Sequence, residues 1–462
     1  MQTAAWFEGA LRPEVVAAHL RRNVPALADG SCELVHCRVT RIRSFPPQGS
    51  WAATYELDVV GREDARAQTV AARGIMTPPG SPLPPIASPG SPLGSEGWGC
   101  VLRDLRLVLE VIPFDDSLPG LALLLDPVEG AQLLDQALHG SGALPAGVAV
   151  AGCAARIASH KPGVRATVLC TLGCTPSGHS GPDAVVVKVH SDEEGERGHR
   201  AMESLAASPF VESSYVHFPR PLAYVPELRL SVQEHIAHAG SLKDLFHIAF
   251  DDGRDRVMPA LTAGVEAAAD GLAALHRCGS PHGLSASWDD EVAAVKMKHE
   301  RLMSVVPELG DRLRLGTALE RIEVGARIVA ADPLAPAHGS FHPAQVLMTD
   351  SGVAFIDFDK SGQAEPASDL AAFTTKLRHM AANKVDTHGY DPFGASESAV
   401  EDLREAFIGR YQRIAPVSEP RLAMWEALEL FSLVLSASKK MLGPRTDNCI
   451  AMLEQHLRSH DI

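Results

Sequence analysis

Nothing in this 462-residue chain approaches the run of about eighteen or more apolar residues that a membrane-spanning helix needs. The opening residues, Met1-Gln2-Thr3-Ala4-Ala5-Trp6-Phe7-Glu8, lack the basic-then-apolar order of a secretory signal. The eight cysteines contain no C-x-x-C pair. Cys32/Cys37 and Cys170/Cys174 are the nearest neighbours, and neither has the further Cys or His that a zinc finger requires. Free thiols in a reducing, cytoplasmic setting are therefore expected. Positive charge is also scarce: 42 Lys and Arg against 57 Asp and Glu leave a net charge of −15. That balance argues against nucleic acid or an anionic membrane as the main partner, and it is compatible with a cationic ligand. A glycine-rich G-x-G-x-x-G phosphate loop is missing as well.

What is present is concentrated in residues 338–359, HGSFHPAQVLMTDSGVAFIDFD. Gln345-Val346-Leu347-Met348 is a short apolar run, Thr349-Asp350-Ser351-Gly352 is turn chemistry, and Val353 to Phe358 is a second apolar run. The pattern predicts a β-hairpin. With the turn centred between Asp350 and Ser351, Gln345 lies opposite Ile356, so Asp357 emerges beside Gln345 at the open end. A carboxylate and an amide oxygen there suit a hard cation such as Mg²⁺. Asp359, two residues on, offers a second carboxylate on the same side.

Protein kinases carry H-R-D-x-x-x-x-N, followed by an Asp that holds Mg²⁺. Here His338-Gly339-Ser340 stands at the H-x-D position, with Gln345 five residues after Ser340. The stretch, continued by Gln363-Ala364-Glu365-Pro366-Ala367-Ser368-Asp369-Leu370-Ala371, closely resembles the HGDxHPxN…IDFxxxxxGDPxxDLA signature of the aminoglycoside phosphotransferase and choline kinase family. The resemblance implies an α+β, two-lobe protein-kinase-like fold that uses ATP and Mg²⁺. Two departures stand out. Ser340 occupies the general-base position and cannot accept a proton at neutral pH, and Gln345 replaces the metal-binding Asn with a side chain one methylene longer. His342 or Asp359 is a candidate substitute base; a purely structural His342 is the competing reading. The metal set implied is Gln345, Asp357 and Asp359, with Ser340, His342 and Asp357 at the reacting centre.

An ATP-binding lobe should precede this stretch. Residues 151–172 read as a hairpin around Lys161-Pro162-Gly163, and Asp183 to His190 as a β-branched strand bearing a lone Lys188, the third-strand pattern in which a Lys binds nucleotide phosphates. A helix over Glu196–Ala206 should supply that Lys with a Glu, either Glu203 or Glu196. The hairpin turn would cover the phosphates with backbone amides and the charges of Lys161 and Arg165. Leu228 to Gln233, leading into Glu234-His235-Ile236, resembles the family's adenine-binding hinge. Leu261 to His276 carries apolar residues at 261, 265, 268, 272 and 275, one helical stripe, with His276 expected to complement the helix end. Arg312–Val329, Ala399–Tyr411 and Met424–Met441 have helical patterns too. Asp289, Asp290 and Glu291 form an acidic run that could attract a cation or simply face solvent.

The expected organisation is an N-terminal cap over 1–150 with a Pro/Gly/Ser-rich loop at 77–97, a kinase-like N-lobe over 151–236, and a helical C-lobe over 237–462 that carries 338–359. The cap's strands, Cys32–Arg43, Trp51–Val60 and Gln68–Met76, echo residues 151–190, without a Lys in the third. The run Ile112-Pro113-Phe114-Asp115-Asp116-Ser117-Leu118-Pro119 resembles N-terminal extensions in some members of the family. The leading functional expectation is transfer of the γ-phosphate of ATP to a hydroxyl of a small molecule or of a precursor peptide. A nucleotide-binding pseudokinase with the cap as a protein-binding surface is the alternative, and nucleotidyl transfer a third.

Overall fold

In the computed structural model, Pro13 opens helix α2 (Pro13–Asn23) after the short α1 (Ala5–Leu11), and Pro25 starts a single turn, α3 (Pro25–Ala28). Proline suits a first helical position because its missing N–H has no intrahelical partner there. The structure describes residues 5–45, 50–61, 67–84, 99–111, 115, 117–161, 163–176, 178, 181–212, 216–251, 254–304, 315–388, 393–439 and 443–462. Most of the Pro/Gly/Ser-rich loop, Ile112–Phe114, Asp116, Pro162 and Arg312 to Arg314 lie outside them. No helix among the described residues is long and apolar enough to cross a membrane.

The first sheet comprises β1 (Cys32–Phe45), β2 (Ser50–Gly61), β3 (Ala67–Met76), β4 (Gly99–Leu102) and β5 (Leu107–Val111), in the order β1-β2-β3-β5-β4. Alternation in β2 turns Trp51, Tyr55, Leu57 and Val59 inward, in one cluster with Val16, Ala17 and Leu20 of α2. The Tyr55 hydroxyl donates to the Ala10 carbonyl at 2.6 Å.

Helices α4 (Pro119–Leu125) and α5 (Pro127–Gly140) come next, then β6 (Ala149–Lys161), β7 (Arg165–Thr175), β8 (Ala184–His190), α6 (Glu194–Ala206), β9 (Val216–His217), β10 (Pro221–Val225) and β11 (Leu230–Glu234). The second sheet is ordered β6-β7-β8-β11-β10, the same path as the first. The echo between 32–76 and 151–190 is therefore matched in strand order. Both third strands also bear a buried cation: Lys188 in β8 and, where no Lys was expected to matter, Arg73 in β3, each 5% exposed. The boundary drawn at 150 does not follow the packing. Leu118, Leu121, Leu124, Leu134 and Leu138 share a core with Val168, Val187 and Val232 of the second sheet, so the segment from Leu118 onward covers the N-lobe rather than completing the cap. An apolar helical stripe does not say which sheet it covers.

The C-lobe contains β12 (Gly240–Ser241), α7 (Leu242–Phe250), α8 (Arg254–Arg277), α9 (Trp288–Met303), α10 (Leu315–Ile328), β13 (Ala335–Ala337), β14 (Val346–Thr349), β15 (Gly352–Phe355), β16 (Gly362–Ala364), α11 (Pro366–His388), α12 (Phe393–Gln412), α13 (Glu419–Lys439) and α14 (Gly443–Ser459). The expected stripe on α8, Leu261, Val265, Ala268, Leu272 and Leu275, is buried throughout. Gly271 lets this helix lie directly on the hairpin that ends at Asp357: a Cβ there would sit 1.9 Å from Val216 Cγ2 and 2.9 Å from the Phe355 ring.

Gly271→Val should therefore destabilise the protein, because overpacking costs about 1–3 kcal/mol against a smaller gain in helix propensity. A urea midpoint lowered at unchanged slope is the expected reading; an unchanged midpoint would show that α8 and the hairpin can part freely.

Candidate active site

The hairpin forms in the expected register. Thr349 pairs with Gly352 and Val346 with Phe355, and Ile356 N–H donates to the Gln345 carbonyl at 3.0 Å. Asp357 leaves the ladder in the left-handed region, at φ 71°. The preceding loop needs glycine at 339, where φ is 77° and a Cβ would lie 2.2 Å from the Lys360 carbonyl oxygen. One buried carboxylate organises that loop. Asp369 accepts backbone N–H bonds from His338 at 2.6 Å, Gly339 at 3.0 Å and Phe341 at 3.4 Å, and a contact from His276 Nε2 at 3.2 Å. His276 stands in the last turn of α8, as expected, and is buried there, its Nδ1 meeting the Tyr411 hydroxyl at 2.6 Å. Burial alone would raise the Asp369 pKa, but the His276 hydrogen bond and charge, with the other donors, hold it below the usual range.

At the open end four charges meet. Lys188 Nζ lies 2.6 Å from Asp357 Oδ1 and 2.6 Å from Asp359 Oδ1. The guanidinium of Arg165 bonds both oxygens of Asp357, at 3.2 and 3.1 Å, and also Asp359. Burial by itself would favour a neutral Lys188, and the charges of Asp359 and Asp357 reverse that, leaving its pKa raised. Burial likewise opposes ionisation of Asp357, yet Lys188 and Arg165 hold its pKa well below the ordinary carboxylate value. Two cationic side chains and two carboxylates meet there, so the cluster is balanced in formal charge.

Several expected partners are placed differently. Glu203 does not meet Lys188: its side chain is 60% exposed and faces His199 Nε2 at 3.6 Å, while Glu196 pairs with Arg200. Helix α6 turns two glycines toward the cleft instead. A Cβ at Gly198 would lie 2.8 Å from Asp359 Cα, and one at Gly195 2.6 Å from His190 Cδ2. Lys188 takes both its carboxylates from the C-lobe. The expected cover of backbone amides over the phosphates is also spent within the protein: Gly163 N–H donates to the Asp115 carboxylate, and Val164 N–H to the Lys161 carbonyl at 2.9 Å. A backbone N–H makes one good hydrogen bond, so on this hairpin the groups left for phosphate are the side chains of Lys161, which is exposed, and Arg165.

Gln345 does not present its oxygen to Asp357. Its Oε1 accepts from His342 N–H at 3.1 Å, and its Nε2 points to Ser340 Oγ at 3.2 Å and Asp357 Oδ2 at 3.4 Å. Partner chemistry fixes this orientation, since an N–H needs an acceptor and a carboxylate a donor. His342 is half-buried with Nδ1 unpartnered among the described residues, and burial pushes its pKa down to about 4. It is neutral at pH 7. At the segment expected to be the hinge, Glu234 ends β11 with its carboxylate on Arg220 at 3.1 Å, and His235 and Ile236 follow, half-buried.

A cavity of about 590 Å³ opens beside the cluster, lined by Ser340, His342, Asp359, Lys360, Trp425 and Glu429 among others. Burial, with the charge of Glu291 adding, pushes the Glu429 pKa up to about 7. Of the acidic run, Glu291 faces this cavity, whereas Asp290 caps α9 through Ser287. Glu429 and Asp369 carried no sequence signal beyond, for Asp369, its place in the signature.

Asp357 and Asp359 fit Mg²⁺: two adjacent carboxylates are the oxygen donors a hard cation takes. Gln345 as placed does not fit, because it offers a nitrogen-bound hydrogen on that side.

Replacing Asp369 with Ala strips three backbone donors and a His of their acceptor. A loss of roughly 2–4 kcal/mol of unfolding free energy is expected, measured by chemical denaturation. A loss under about 0.5 kcal/mol would show that the loop holds its shape without the carboxylate.

The sequence profile of the APH phosphotransferase enzyme family matches residues 178–411, about half of the chain. A glucosamine kinase from Streptacidiphilus jiangxiensis is 29% identical over 228 residues, 43% of this chain and 51% of that protein, so the chain matches about half the length of this curated relative. Among solved structures, a glucosamine kinase in complex with glucosamine, ADP and inorganic phosphate has 17% identity and a TM-score of 0.48, covering 96% of this chain and 99% of that one. An apo thermostable mutant of aminoglycoside phosphotransferase APH(4)-Ia has 14% identity and a TM-score of 0.45, covering 67% and 95%. A choline/ethanolamine kinase family protein from Mesorhizobium loti has 15% identity and a TM-score of 0.43, covering 70% and 95%. By the profile match, and with the hairpin, the organising carboxylate and the lysine strand all in the matched span, the chain belongs to the phosphotransferase enzyme family.

Proposed function

We propose that this protein transfers the γ-phosphoryl group of ATP to a hydroxyl of a small, amine-bearing acceptor. The observation that carries the reading is one continuous site. Asp359, which with Asp357 holds Lys188 Nζ at 2.6 Å, lines the same cavity as Glu429 and Glu291. Its volume, about 590 Å³, falls in the range of small-molecule pockets, roughly 300–1,000 Å³, which favours a small acceptor over the side chain of a precursor peptide. A half-buried carboxylate whose pKa desolvation pushes up to about 7 gains from a cation brought beside it. The S. jiangxiensis relative is, by name, a kinase of an amino sugar, and glucosamine is the first acceptor to try.

In this reading the adenine edge lies along Glu234, His235 and Ile236, and Lys188, Arg165 and Lys161 hold the phosphates. Mg²⁺ held by Asp357 and Asp359 would offset charge on the transferring group. The acceptor oxygen forms a bond to the γ-phosphorus as the bond to the ADP oxygen breaks, and the hydroxyl proton leaves. Ser340 cannot take that proton at neutral pH, and His342 is a weak base. The transition state is loose, so the proton departs late, to the transferred phosphoryl or to water, and Ser340 Oγ orients the hydroxyl. Loss of a general base costs about 10²–10⁴-fold, so slow turnover is expected rather than none.

A second reading has its own support. With Ser340 at the base position and Arg165 and Lys188 saturating both acidic groups, a nucleotide-binding protein without turnover is the alternative, the cap then serving as a partner surface. Both readings require a nucleotide site. At Mg·ATP a hundred times its dissociation constant, wild type should gain about 2.7 kcal/mol of stability, a thermal shift that Lys188→Ala abolishes. No shift in wild type would sink both. Phosphorylated glucosamine, or another amine-bearing product, then separates them; silence across amino sugars, aminoglycosides and amino alcohols would leave only the second.

The acceptor end makes its own prediction. Glu429 is protonated below about pH 7 and charged above it. KM for an amine-bearing acceptor should therefore fall as pH rises from 6 to 8, and Glu429→Gln should raise KM and flatten that dependence. A steep profile surviving in the variant would remove Glu429 from acceptor binding.

A further inference from the structure

Asp115 stands in the run Ile112 to Pro119 that the proposed reaction leaves without a role. Its carboxylate is buried, 1% exposed, and four donors meet it. On the cap side, Oδ1 accepts from Arg73 Nη1 at 2.9 Å and from Ser117 N–H at 3.2 Å. On the hairpin side, Oδ2 accepts from Gly163 N–H and meets His160 Nε2 at 3.1 Å. Arg73 is fixed in turn by Glu110, its cross-strand partner on β5, at 2.5 Å. Gly163 is the tip of the β6–β7 hairpin, at φ 67°, and Arg165 follows two residues later. The ladder closes on Arg165 from both sides, against Lys161 in β6 and His190 in β8, so moving the tip moves the guanidinium that reaches Asp357 and Asp359.

We infer that Asp115 is a positioning residue for the nucleotide site, a carboxylate through which the cap sheet holds the hairpin that carries Arg165 over the phosphate position. The Gly163 amide serves this anchor and the Val164 amide closes the turn on the Lys161 carbonyl, which leaves phosphate binding on this hairpin to Arg165 and Lys161. The bond to Oδ1 from Arg73 of the cap sheet and the two to Oδ2 from the hairpin make the carboxylate a bridge rather than a cap of one element. The consequence for nucleotide rests on the reading above; the anchoring does not.

The test compares wild type, Asp115→Asn and Lys188→Ala, each checked for wild-type circular dichroism. Affinity for a fluorescent ATP analogue with Mg²⁺ and no acceptor is measured first, then hydrogen exchange of peptides spanning 160–168. Asp115→Asn should bind the analogue about tenfold more weakly or worse, the scale of one charge-assisted hydrogen bond. Its Gly163–Arg165 amides should exchange at least tenfold faster while those of β1 and β2 stay as in wild type, a split that general loosening of the cap would not give. Wild-type affinity in this variant overturns the inference, whatever the exchange does. Should wild type not bind the analogue at all, the nucleotide reading fails and exchange alone decides: unchanged protection at Gly163 overturns the anchor, and accelerated exchange upholds it. If Asp115→Asn does not fold, His160→Gln removes one of the two hairpin donors and leaves the Gly163 N–H bond and the Arg73 pair intact. A several-fold loss of affinity is expected there, and none would overturn the inference equally.

Discussion

The buried pairing of Lys188 and Arg165 with Asp357 and Asp359 is the interaction on which the arrangement of the lobes depends. Both cations come from adjacent strands of the N-lobe, and both carboxylates from one hairpin end in the C-lobe. Removing one member of such a buried set leaves a charge without a partner, which costs about 3–5 kcal/mol in comparable cases. The cleft is therefore closed by charge as well as by shape. Helix α6 follows from that closure: with no carboxylate needed from it, it presents Gly198 and lies against the backbone of Asp359. In the proposed reaction the same balance admits a direct exchange of partners. Nucleotide phosphates bring negative charge for Lys188 and Arg165 as Mg²⁺ brings positive charge for Asp357 and Asp359.

The cap repeats this solution on a smaller scale. Its sheet follows the same strand order, and its third strand also buries a cation between two carboxylates, Arg73 between Glu110 and Asp115. The difference lies in where the carboxylates come from. In the N-lobe they belong to the other lobe, so the pair is open to ligand exchange. In the cap they come from the sheet itself and its onward chain, so the pair is a fixed joint. Asp115 then passes the constraint to the β6–β7 hairpin, and the second sheet is held by the first at the place where phosphate would arrive.

Much of this was legible in the sequence. A turn of Asp350-Ser351 between two apolar runs fixes one register, because any slip would turn Val353 and Phe355 out of the core, and Asp357 follows. Lys188 was legible through its context: a lone Lys in a strand is usually only an edge charge, but this strand precedes the 338–359 stretch in the order of a kinase third strand. The partners were not. Glu203 was expected from helical spacing, yet which face of α6 meets the cleft is set by Gly195 and Gly198, residues that propensity reads only as weak helix formers. The orientation of the Gln345 amide depends on His342 N–H and Asp357, neighbours that only the folded loop brings together. Leu118 to Leu138 looked like part of the cap because a stripe of leucines has no address until a sheet is in place. Asp115 was visible only as part of an unassigned motif, since its partners lie more than forty residues away on both sides.

Ser340 and Gln345 are best understood as one change rather than two. In the H-x-D-x-x-x-x-N arrangement a longer base faces a shorter amide. Here a side chain shorter by one heavy atom faces an amide longer by one methylene, and the pair still meets, Gln345 Nε2 to Ser340 Oγ at 3.2 Å. A site drifting away from use would leave the displaced amide without partners. This one fills each of its contacts, with His342 N–H on the oxygen and Ser340 and Asp357 on the nitrogen. The charge count points the same way. An aspartate at 340 would add a third carboxylate beside two that are already matched by two cations, whereas serine keeps the cluster neutral. The substitution removes a base whose contribution is modest in a loose transition state, and it preserves the electrostatics that contribute more. That asymmetry is the physical reason to prefer a slow phosphotransferase over an inert relative.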